Sequence, residues 1–400
     1  IPDDPWLNPI VSMAFDLSRK FESGEITYSE LKALARRLMD RACVNRALHI
    51  RKRVAFEDHP TTLKEFSTFL QTTAGSTDEN ADIDSAFSAF SERWSRARVG
   101  IVLTAHPTFA LSDALSRRMI EIAVVNDAEQ HQLKGYAHRP DDNIDLSYEH
   151  SRAQDAINKI RSSYEELLNS FFSFAADKFG ERAYELRPNL LTFASWVGYD
   201  LDGRTDITWL DSFTLRLQEK QAALVDIRER FLNLRHRLTD DAPTQRICRQ
   251  ITGKLDLAIA AVDEQISAVG KIEGGHKGLV RAANIITQTD SYNLTSVKPL
   301  LELFDTLIAT VTTPQMKRSV AALASLVNTS KLGTAHIHVR INATQLNNAF
   351  RAFVHEPWTH DLSEGQALAK ISEMIANVDP ETVNFGTLEL ETATAIRQFA

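Results

Sequence analysis

The stretch VGIVLTAHPTFALS, residues 99–112, decides the fold class. Its first half is apolar and rich in β-branched residues, which predicts a strand over Val99–Thr104. His106 and a proline follow directly, so that an imidazole lies where the strand ends. This order is typical of α/β barrels, whose active sites collect the carboxyl ends of the strands. The alternative interpretation of His106 is a half-buried histidine that closes the strand with a hydrogen bond.

Two more short strands share this pattern, and long helices occupy most of the remaining chain. The strands are predicted over Leu191–Val197 and Ala335–Asn342, each followed by a polar segment that holds His, Asp or Arg. Apolar residues at helical spacing predict four long helices, over Ile26–Val54, Ser147–Phe179, Gln245–Gly270 and Asp290–Val311. We therefore expect a predominantly α-helical α/β fold, a partial (β/α)8 barrel of the TIM type with many added helices. Three strands do not close a barrel, so further strands lie elsewhere in this chain or outside it.

Two regions are expected along the chain. Residues 1–95 form an N-terminal helical layer, and residues 96–400 form the first part of the α/β barrel with helical insertions. Polar, loop-forming segments at Gln71–Asp82 and Gly135–Leu146 interrupt the helical pattern. We expect these loops to separate layers of one fold and not independently folding domains.

The composition narrows the classes of partner. The 400 residues carry a formal net charge of -8, which disfavours general binding to nucleic acids or to anionic membranes. No apolar run is long enough to predict a membrane span. The two cysteines, Cys43 and Cys248, lie far apart in the sequence and have no CxxC partner. They predict neither a metal site nor a disulfide, and they favour a reducing compartment, the cytoplasm.

The segment SWVGYDLDGRTDIT, residues 195–208, places aspartates and glycines directly behind the second predicted strand. Asp200, Asp202, Gly203 and Arg204 are its candidate binding residues, because glycines let an anion approach backbone amides and the arginine supplies a positive charge. A calcium loop is a second interpretation, although the spacing of an EF-hand is absent. A plain turn held together by aspartate side chains is the third.

The segment HIHVRINATQLNNAF, residues 336–350, follows the third predicted strand pattern. In a strand, His336, His338 and Arg340 point to one face. The histidine pair suggests a metal site, but the sequence places no third ligand beside it. Arg340 requires an anion wherever it is buried, so a carboxylate or phosphate ligand and a salt bridge to a protein acid are equal alternatives.

Together the three segments resemble phosphoenolpyruvate carboxylase. VLTAHPT (102–108) is similar to the family's signature around its essential histidine, SWVGYDLDG (195–203) to its Gly-Asp-Arg-Asp-Gly loop, and HVRINAT (338–344) to the strand that presents a substrate-clamping arginine. The resemblance runs from about residue 90 onward and covers the N-terminal half of the family's longer polypeptide. This chain has Tyr199 and Leu201 in place of a glycine and the arginine of the loop, and Phe109 in place of an acidic or amide residue.

The resemblance implies a barrel enzyme, a homotetramer in this family, that joins phosphoenolpyruvate and bicarbonate to give oxaloacetate and phosphate. It implies His106 as the acid or base that handles the carboxyphosphate intermediate, and Arg340 as the clamp on phosphate or carboxylate. Arg204 assists, and Asp200, Asp202 and Gly203 belong to the binding loop. The divalent metal of the family, Mg²⁺ or Mn²⁺, has its ligands in the C-terminal half, and residues 345–400 resemble none of them.

Two interpretations of the whole chain remain open. In the first, it is an N-terminal piece of a phosphoenolpyruvate carboxylase, inactive on its own and active in the complete protein. The start IPDDPWLNPI, which lacks both Met and a basic and apolar leader, favours a fragment over a signal peptide. In the second, it is a diverged, non-catalytic, carboxylase-like binding or scaffold protein.

Overall fold

A computed structural model gives the architecture of this chain. It describes residues 8–54, 59–73, 82–104, 111–124, 133, 135–142, 144–200, 202, 204, 207–238, 241–272, 276–287, 292–340, 343–344 and 365–376. The first helices and strand are α1 (Pro9–Glu22), α2 (Tyr28–Val54), α3 (His59–Thr73), α4 (Ile83–Ser95), β1 (Gly100–Leu103), α5 (Asp113–Val124) and α6 (Leu146–Phe179). A 3₁₀ helix (Gly180–Glu185), β2 (Thr192–Ser195), α7 (Trp209–Arg235), α8 (Ala242–Val269) and α9 (His276–Ile286) follow. The last elements are α10 (Lys298–Thr310), α11 (Pro314–Ser330), β3 (His336–Ile337) and α12 (Gly365–Ala376).

The chain divides into two compact units. The first comprises Ile1–Thr61 with His106–Ile144, and the second comprises Thr62–Ala105 with Asp145–Ala400. The predicted division into an N-terminal helical layer (1–95) and the first part of an α/β barrel (96–400) stays a prediction.

The first unit is held together by the packing of α2 against α5. Their apolar faces bury one small cluster, made of Cys43, Ala47, Leu115, Met119, Ile122, Ala123 and Leu133. The start of α2 is fixed by a capping box, in which the Thr27 hydroxyl accepts from the Glu30 backbone N–H and the Glu30 carboxylate accepts from Thr27. The helix predicted over Ile26–Val54 is therefore confirmed.

The second unit is a helical assembly around one large apolar core. The predicted helices at Ser147–Phe179, Gln245–Gly270 and Asp290–Val311 are confirmed as α6, α8 and α10, and α10 begins at the Lys-Pro pair. Aromatic rings fill the contact between α4 and α6: Phe90 stacks on Phe171, and Trp94 meets Phe171 edge to face.

Charged side chains join α6 to α7 inside this unit, and we call them the ion-pair ladder: Arg161 and Glu165 on α6, with Asp226 and Arg230 on α7. Arg161 Nη2 lies 2.7 Å from Asp226 Oδ2, and Arg230 Nε lies 2.8 Å from Asp226 Oδ1. Arg230 also pairs with Glu165. Because the partners rise together in residue number, the two helices run in the same direction.

The three strands form one parallel sheet in the order β1-β2-β3. Gly100 lies opposite Thr192, and Ala194 lies opposite His336. All three strands lie within the predicted segments, although β3 covers only His336–Ile337 of the predicted Ala335–Asn342. The predominantly helical α/β class is thus confirmed, with these three strands in the part of the chain that the structure describes. Among those same residues, no helix combines the length and the apolar character that crossing a membrane requires.

Candidate functional site

The carboxyl ends of β2 and β3 bring two predicted site residues together. Asp200 and Arg340 lie opposite each other in an isolated parallel bridge beyond the two strands. The backbone N–H of Arg340 donates to the Tyr199 carbonyl at 3.0 Å, and that of His338 donates to the Ser195 carbonyl at 3.0 Å. Parallel register therefore continues past both strands, and this places the loop of residues 196–200 beside the predicted clamp.

A tight turn after β2 sets the position of Asp200. The Tyr199 N–H donates to the Trp196 carbonyl at 2.9 Å, and Gly198 adopts a φ of +90° inside that turn. A side chain at this glycine would start 2.4 Å from Leu215 Cδ1 on α7. The Ser212 hydroxyl donates to the Gly198 carbonyl at 2.7 Å, which fastens the turn to the same helix. Only glycine meets both requirements.

Helix α6 positions the strands from behind. The Arg161 guanidinium donates through Nη1 to the Thr334 carbonyl at 3.1 Å, just before β3. The Tyr164 hydroxyl accepts from the Leu190 N–H at 3.1 Å, just before β2, and lies 3.2 Å from Thr329 Oγ1. Two buried side chains of one helix thus fix the starts of the two strands whose ends carry the site.

The Arg340 guanidinium forms the centre of the candidate site. Its Nη1 donates to Asp200 Oδ2 at 3.0 Å, and its Nη2 lies 3.8 Å from Asp202 Oδ2, beyond hydrogen-bond distance. The Trp196 ring centroid lies 5.3 Å from its central carbon, a cation–π distance. The side chain is 47% exposed. Of its five N–H groups, one is engaged with a side chain in the described part of the protein.

Asp200 stabilises its own loop as well as Arg340. Its Oδ1 accepts from the Asp202 backbone N–H at 3.3 Å, the geometry of an aspartate turn. The interpretation of this segment as a turn held by aspartate side chains therefore describes part of its structure. The same carboxylate forms the salt bridge that the sequence left open as one of two partners for Arg340.

Arg204 contacts a different acid. Its Nη1 lies 2.9 Å from Glu149 Oε2, in the first turn of α6. The negative charge of Glu149 is favourable at a helix N-terminus, so this carboxylate stabilises both the helix and the arginine. The described contacts do not join Arg204 to Arg340.

Several predicted residues lie outside the described residues. These are His106 and Gly203, together with Phe109 and Leu201, at which the chain departs from the family pattern. His336 and His338 are described, and both are exposed. Among the residues that the structure places, no three His, Cys, Asp or Glu side chains are grouped to hold a metal ion. Asp200 and Asp202 face Arg340, so we assign no ligand of the family's Mg²⁺ or Mn²⁺ to them.

A buried polar group lies behind the turn. Tyr199 is 4% exposed, and its burial, together with the negative charge of Glu219 on α7, raises the pKa of its phenol. His150 Nε2 lies 2.9 Å from Glu219 Oε1, and Gln154 Nε2 lies 3.3 Å from the same oxygen. Tyr199, where the resemblance expects a glycine, is thus a core residue.

The sequence did not single out three residues that build the site. Trp196 and Glu149 contact the two arginines, and Arg161 orients β3. Trp196 has a signal in retrospect, because an aromatic residue directly behind a strand commonly covers the strand end. Glu149 and Arg161 have none, since they are ordinary charged residues of a long helix and their partners are distant in sequence.

A comparison of the chain with models of protein families finds no match, and a comparison with curated proteins finds no significant match.

Proposed function

We propose that this chain contributes the phosphoenolpyruvate-binding part of a phosphoenolpyruvate carboxylase. One observation supports the proposal: Arg340 lies at the carboxyl end of a parallel strand, is half-exposed, and donates one side-chain hydrogen bond to another side chain among the residues that the structure describes. A guanidinium of this kind accepts a carboxylate or phosphate in a bidentate contact. Ligands of α/β sheets bind at the carboxyl edge, where Arg340 lies.

Phosphoenolpyruvate fits the chemistry of this edge. It carries a phosphate and a carboxylate, and Arg340 can bind either group through Nη2 and Nε while Asp200 keeps Nη1 in place. Trp196 holds the guanidinium from one face and so reduces the entropy lost when a ligand binds. The Asp202 carboxylate, 3.8 Å from Nη2, repels an anion, which limits where the ligand can lie.

The proposed catalytic role of His106 rests on the resemblance to the carboxylase family. In this proposal His106 follows β1, the strand beside β2, and acts as the acid or base that handles carboxyphosphate. Arg204 and Gly203 stay candidate binding residues. The metal of the family supplies charge neutralisation at the phosphate when it is bound. No step of our proposal uses a metal ligand from this chain.

The wider features of the proposal come from the same resemblance. They are bicarbonate as the second substrate, a (β/α)8 barrel completed by more strands, a homotetramer and a cytoplasmic location. Binding to nucleic acid or to membranes forms no part of the proposed function, because the formal net charge of -8 opposes both.

A binding experiment with matched variants tests the role of Arg340. Phosphoenolpyruvate is titrated calorimetrically into the chain and into Arg340→Gln, which removes the charge and keeps the length of the side chain. Because a charge-assisted contact contributes about 1.5–3 kcal/mol, we expect affinity to fall by about tenfold to one hundredfold. Arg228→Gln is the control, since Arg228 forms an exposed pair with Asp256 on two helices. Equal affinity in Arg340→Gln and wild type would contradict the assignment.

A second experiment tests the reaction. In the family the other catalytic groups follow the arginine strand, so the assay uses the longest polypeptide that the coding sequence encodes. Phosphoenolpyruvate, bicarbonate and Mg²⁺ are supplied, and oxaloacetate is followed through its reduction by malate dehydrogenase. We expect His106→Gln to lower kcat by about one hundredfold or more while it leaves phosphoenolpyruvate binding intact. Full rate in that variant would remove His106 from the mechanism.

The salt bridge itself favours a second function. Because Asp200 already neutralises Arg340, the pair can be purely structural in a diverged, non-catalytic, carboxylase-like binding or scaffold protein. In a pure scaffold protein phosphoenolpyruvate does not bind to the chain and Asp200→Asn changes only stability, whereas a diverged binding protein keeps a phosphorylated small acid at Arg340 and lacks the carboxylation activity. If the carboxylase proposal holds, Asp200→Asn instead strengthens phosphoenolpyruvate binding, since it removes a competing negative charge.

A further inference from the structure

A separate polar cavity lies within the second unit, between α6, α7 and α11. Its volume is about 390 Å³, which is in the range of small-molecule sites. Three of its ten lining residues are arginines: Arg230 on α7, Arg237 just after that helix, and Arg318 on α11. Glu165 is the one carboxylate of this lining. Ser173, Ser319 and Asn169 add hydroxyl and amide groups.

The charges around this cavity do not cancel. The ion-pair ladder is neutral, because Arg161 and Arg230 are balanced by Asp226 and Glu165. Arg237 and Arg318 add two positive charges to the cavity lining that the ladder does not balance. Neither has a carboxylate within 4 Å among the residues that the structure describes, and the one polar side-chain contact of Arg318 is a 2.6 Å hydrogen bond from Nη1 to Ser173 Oγ. The cavity therefore has an excess of two positive charges.

The start of α11 adds to this positive potential. The helix has 17 residues, begins with Pro314, and has no acidic residue in its first turn. Its N-cap, Thr313, makes no side-chain capping hydrogen bond. Gln315, Arg318 and Ser319 of the opening turns line the cavity. The N-terminal dipole of α11 thus favours an anion at the place where the two unbalanced arginines lie.

We propose that this cavity binds a small phosphorylated molecule through Arg237, Arg318 and the N-terminal turn of α11. A phosphate monoester carries about -1.5 to -2 charges near pH 7, which matches the excess charge of the cavity. Its three terminal oxygens accept hydrogen bonds from guanidinium, hydroxyl and amide groups, the donors that line the wall. The site is independent of Arg340, which lies at the strand ends.

The test uses calorimetric titration of inorganic phosphate and of glycerol 3-phosphate at low ionic strength. The variants are Arg318→Gln, Arg237→Gln and the double variant, and the control is Arg246→Gln, an exposed arginine of α8. In a background of Arg340→Gln, which removes the proposed phosphoenolpyruvate clamp, we expect both probes to bind with a one-to-one stoichiometry. Each single variant weakens affinity by about tenfold, and the double variant removes saturable binding. The control keeps the affinity of the wild type.

Three results would overturn the proposal: no saturable phosphate binding by the wild type, an equal loss in Arg246→Gln, or tighter binding of succinate than of either phosphate probe. Arg340→Gln separates this site from the proposed phosphoenolpyruvate site. We expect Arg340→Gln to keep its affinity for inorganic phosphate at the cavity. Arg318→Gln should keep the contribution of Arg340 to phosphoenolpyruvate binding. Failure of one proposal therefore leaves the other measurable.

Discussion

Two arginine–aspartate pairs of similar length serve different purposes in this protein. The side chain of Arg161 is 0% exposed, and both its Nε and Nη2 donate to Asp226 while Nη1 donates to the Thr334 carbonyl. Arg340 is 47% exposed and makes one hydrogen bond to Asp200. Among the described residues, Arg161 therefore donates through three of its nitrogens to groups of the fold, whereas Arg340 donates through one.

This difference shows that an ion pair is not informative by its distance alone. The two shortest separations, 2.7 Å and 3.0 Å, are nearly the same. Burial and the number of committed donors separate a structural pair from an available one. In the buried pair, removal of Arg161 empties the volume of a fully buried side chain and leaves Asp226 with Arg230 alone, whereas in the exposed pair water replaces the partner at little cost.

The largest effect is expected for Arg161→Ala. It leaves the Asp226 carboxylate with one arginine partner and frees the Thr334 carbonyl, so the free energy of unfolding should fall by about 3–5 kcal/mol. Urea denaturation followed by circular dichroism measures it. The control is Arg228→Ala, whose partner Asp256 is exposed, with an expected loss below about 1 kcal/mol. Equal losses would mean that burial does not distinguish the pairs.

A smaller loss is expected for Gly198→Ala. The φ of +90° and the 2.4 Å approach to Leu215 Cδ1 together should cost about 1–3 kcal/mol and displace Asp200 from Arg340. Gly135→Ala is a matched control, because its φ is +95° and an added Cβ meets nothing within 4 Å. If both variants lose the same stability, the contact with α7 contributes nothing. Denaturation midpoints of the two variants decide this.

Tyr199→Phe probes the buried group behind the turn through pH. Burial raises the pKa of Tyr199, so its contribution to stability is complete below the unfolded value of about 10 and is lost as pH rises above it. The free energy of unfolding of Tyr199→Phe should equal that of the wild type near pH 7. Between about pH 8 and pH 11 it should fall less than that of the wild type. Tyr28→Phe, at a tyrosine that is 71% exposed, should follow the wild-type curve. A Tyr199→Phe curve identical to wild type would contradict the burial argument.

The smallest effect on stability is expected for Arg340→Gln. An exposed pair contributes about 0.2–1 kcal/mol, so the variant should unfold close to wild type although its affinity for phosphoenolpyruvate falls. Equilibrium denaturation of the same samples used for titration provides the measurement. A loss comparable to that of Arg161→Ala would place Arg340 among the structural residues and favour the scaffold function.

The sequence predicted four of the twelve α-helices in the described part of the chain, α2, α6, α8 and α10, and it missed α7, although that helix has 27 residues. Helix α6 repeats its apolar pattern over 34 residues, so that local misfits average out. Strand β3 has two residues, whereas the prediction ran over Ala335–Asn342, because alternation in the sequence continues through His338 to Arg340 and only an isolated bridge at Arg340 follows the strand. Residues 341–342 lie outside the described residues. His338 and Arg340 still bond to the loop after β2, although they lie beyond the strand itself.

The partners of charged residues were the least predictable part. The sequence indicated that Arg340 needs an anion, but Asp200 became its partner through the parallel register of β2 and β3. The sequence did not indicate the role of Arg161, since an arginine in a helix is ordinary and its partner Asp226 lies 65 positions away on another helix. Pairing between distant elements depends on packing, which one sequence alone does not encode in a readable pattern.

The ion-pair ladder has a consequence for errors in assembly. If α7 slipped by one turn toward its N-terminus, Arg161 would face Arg230 in place of Asp226. If it slipped the other way, Glu165 would face Asp226, and Arg161 would face Ala222. Each misalignment places like charges together among buried and partly buried side chains, so both neighbouring arrangements are penalised. The charges of the ladder thus specify one register of α6 against α7, independently of how much stability the ladder supplies.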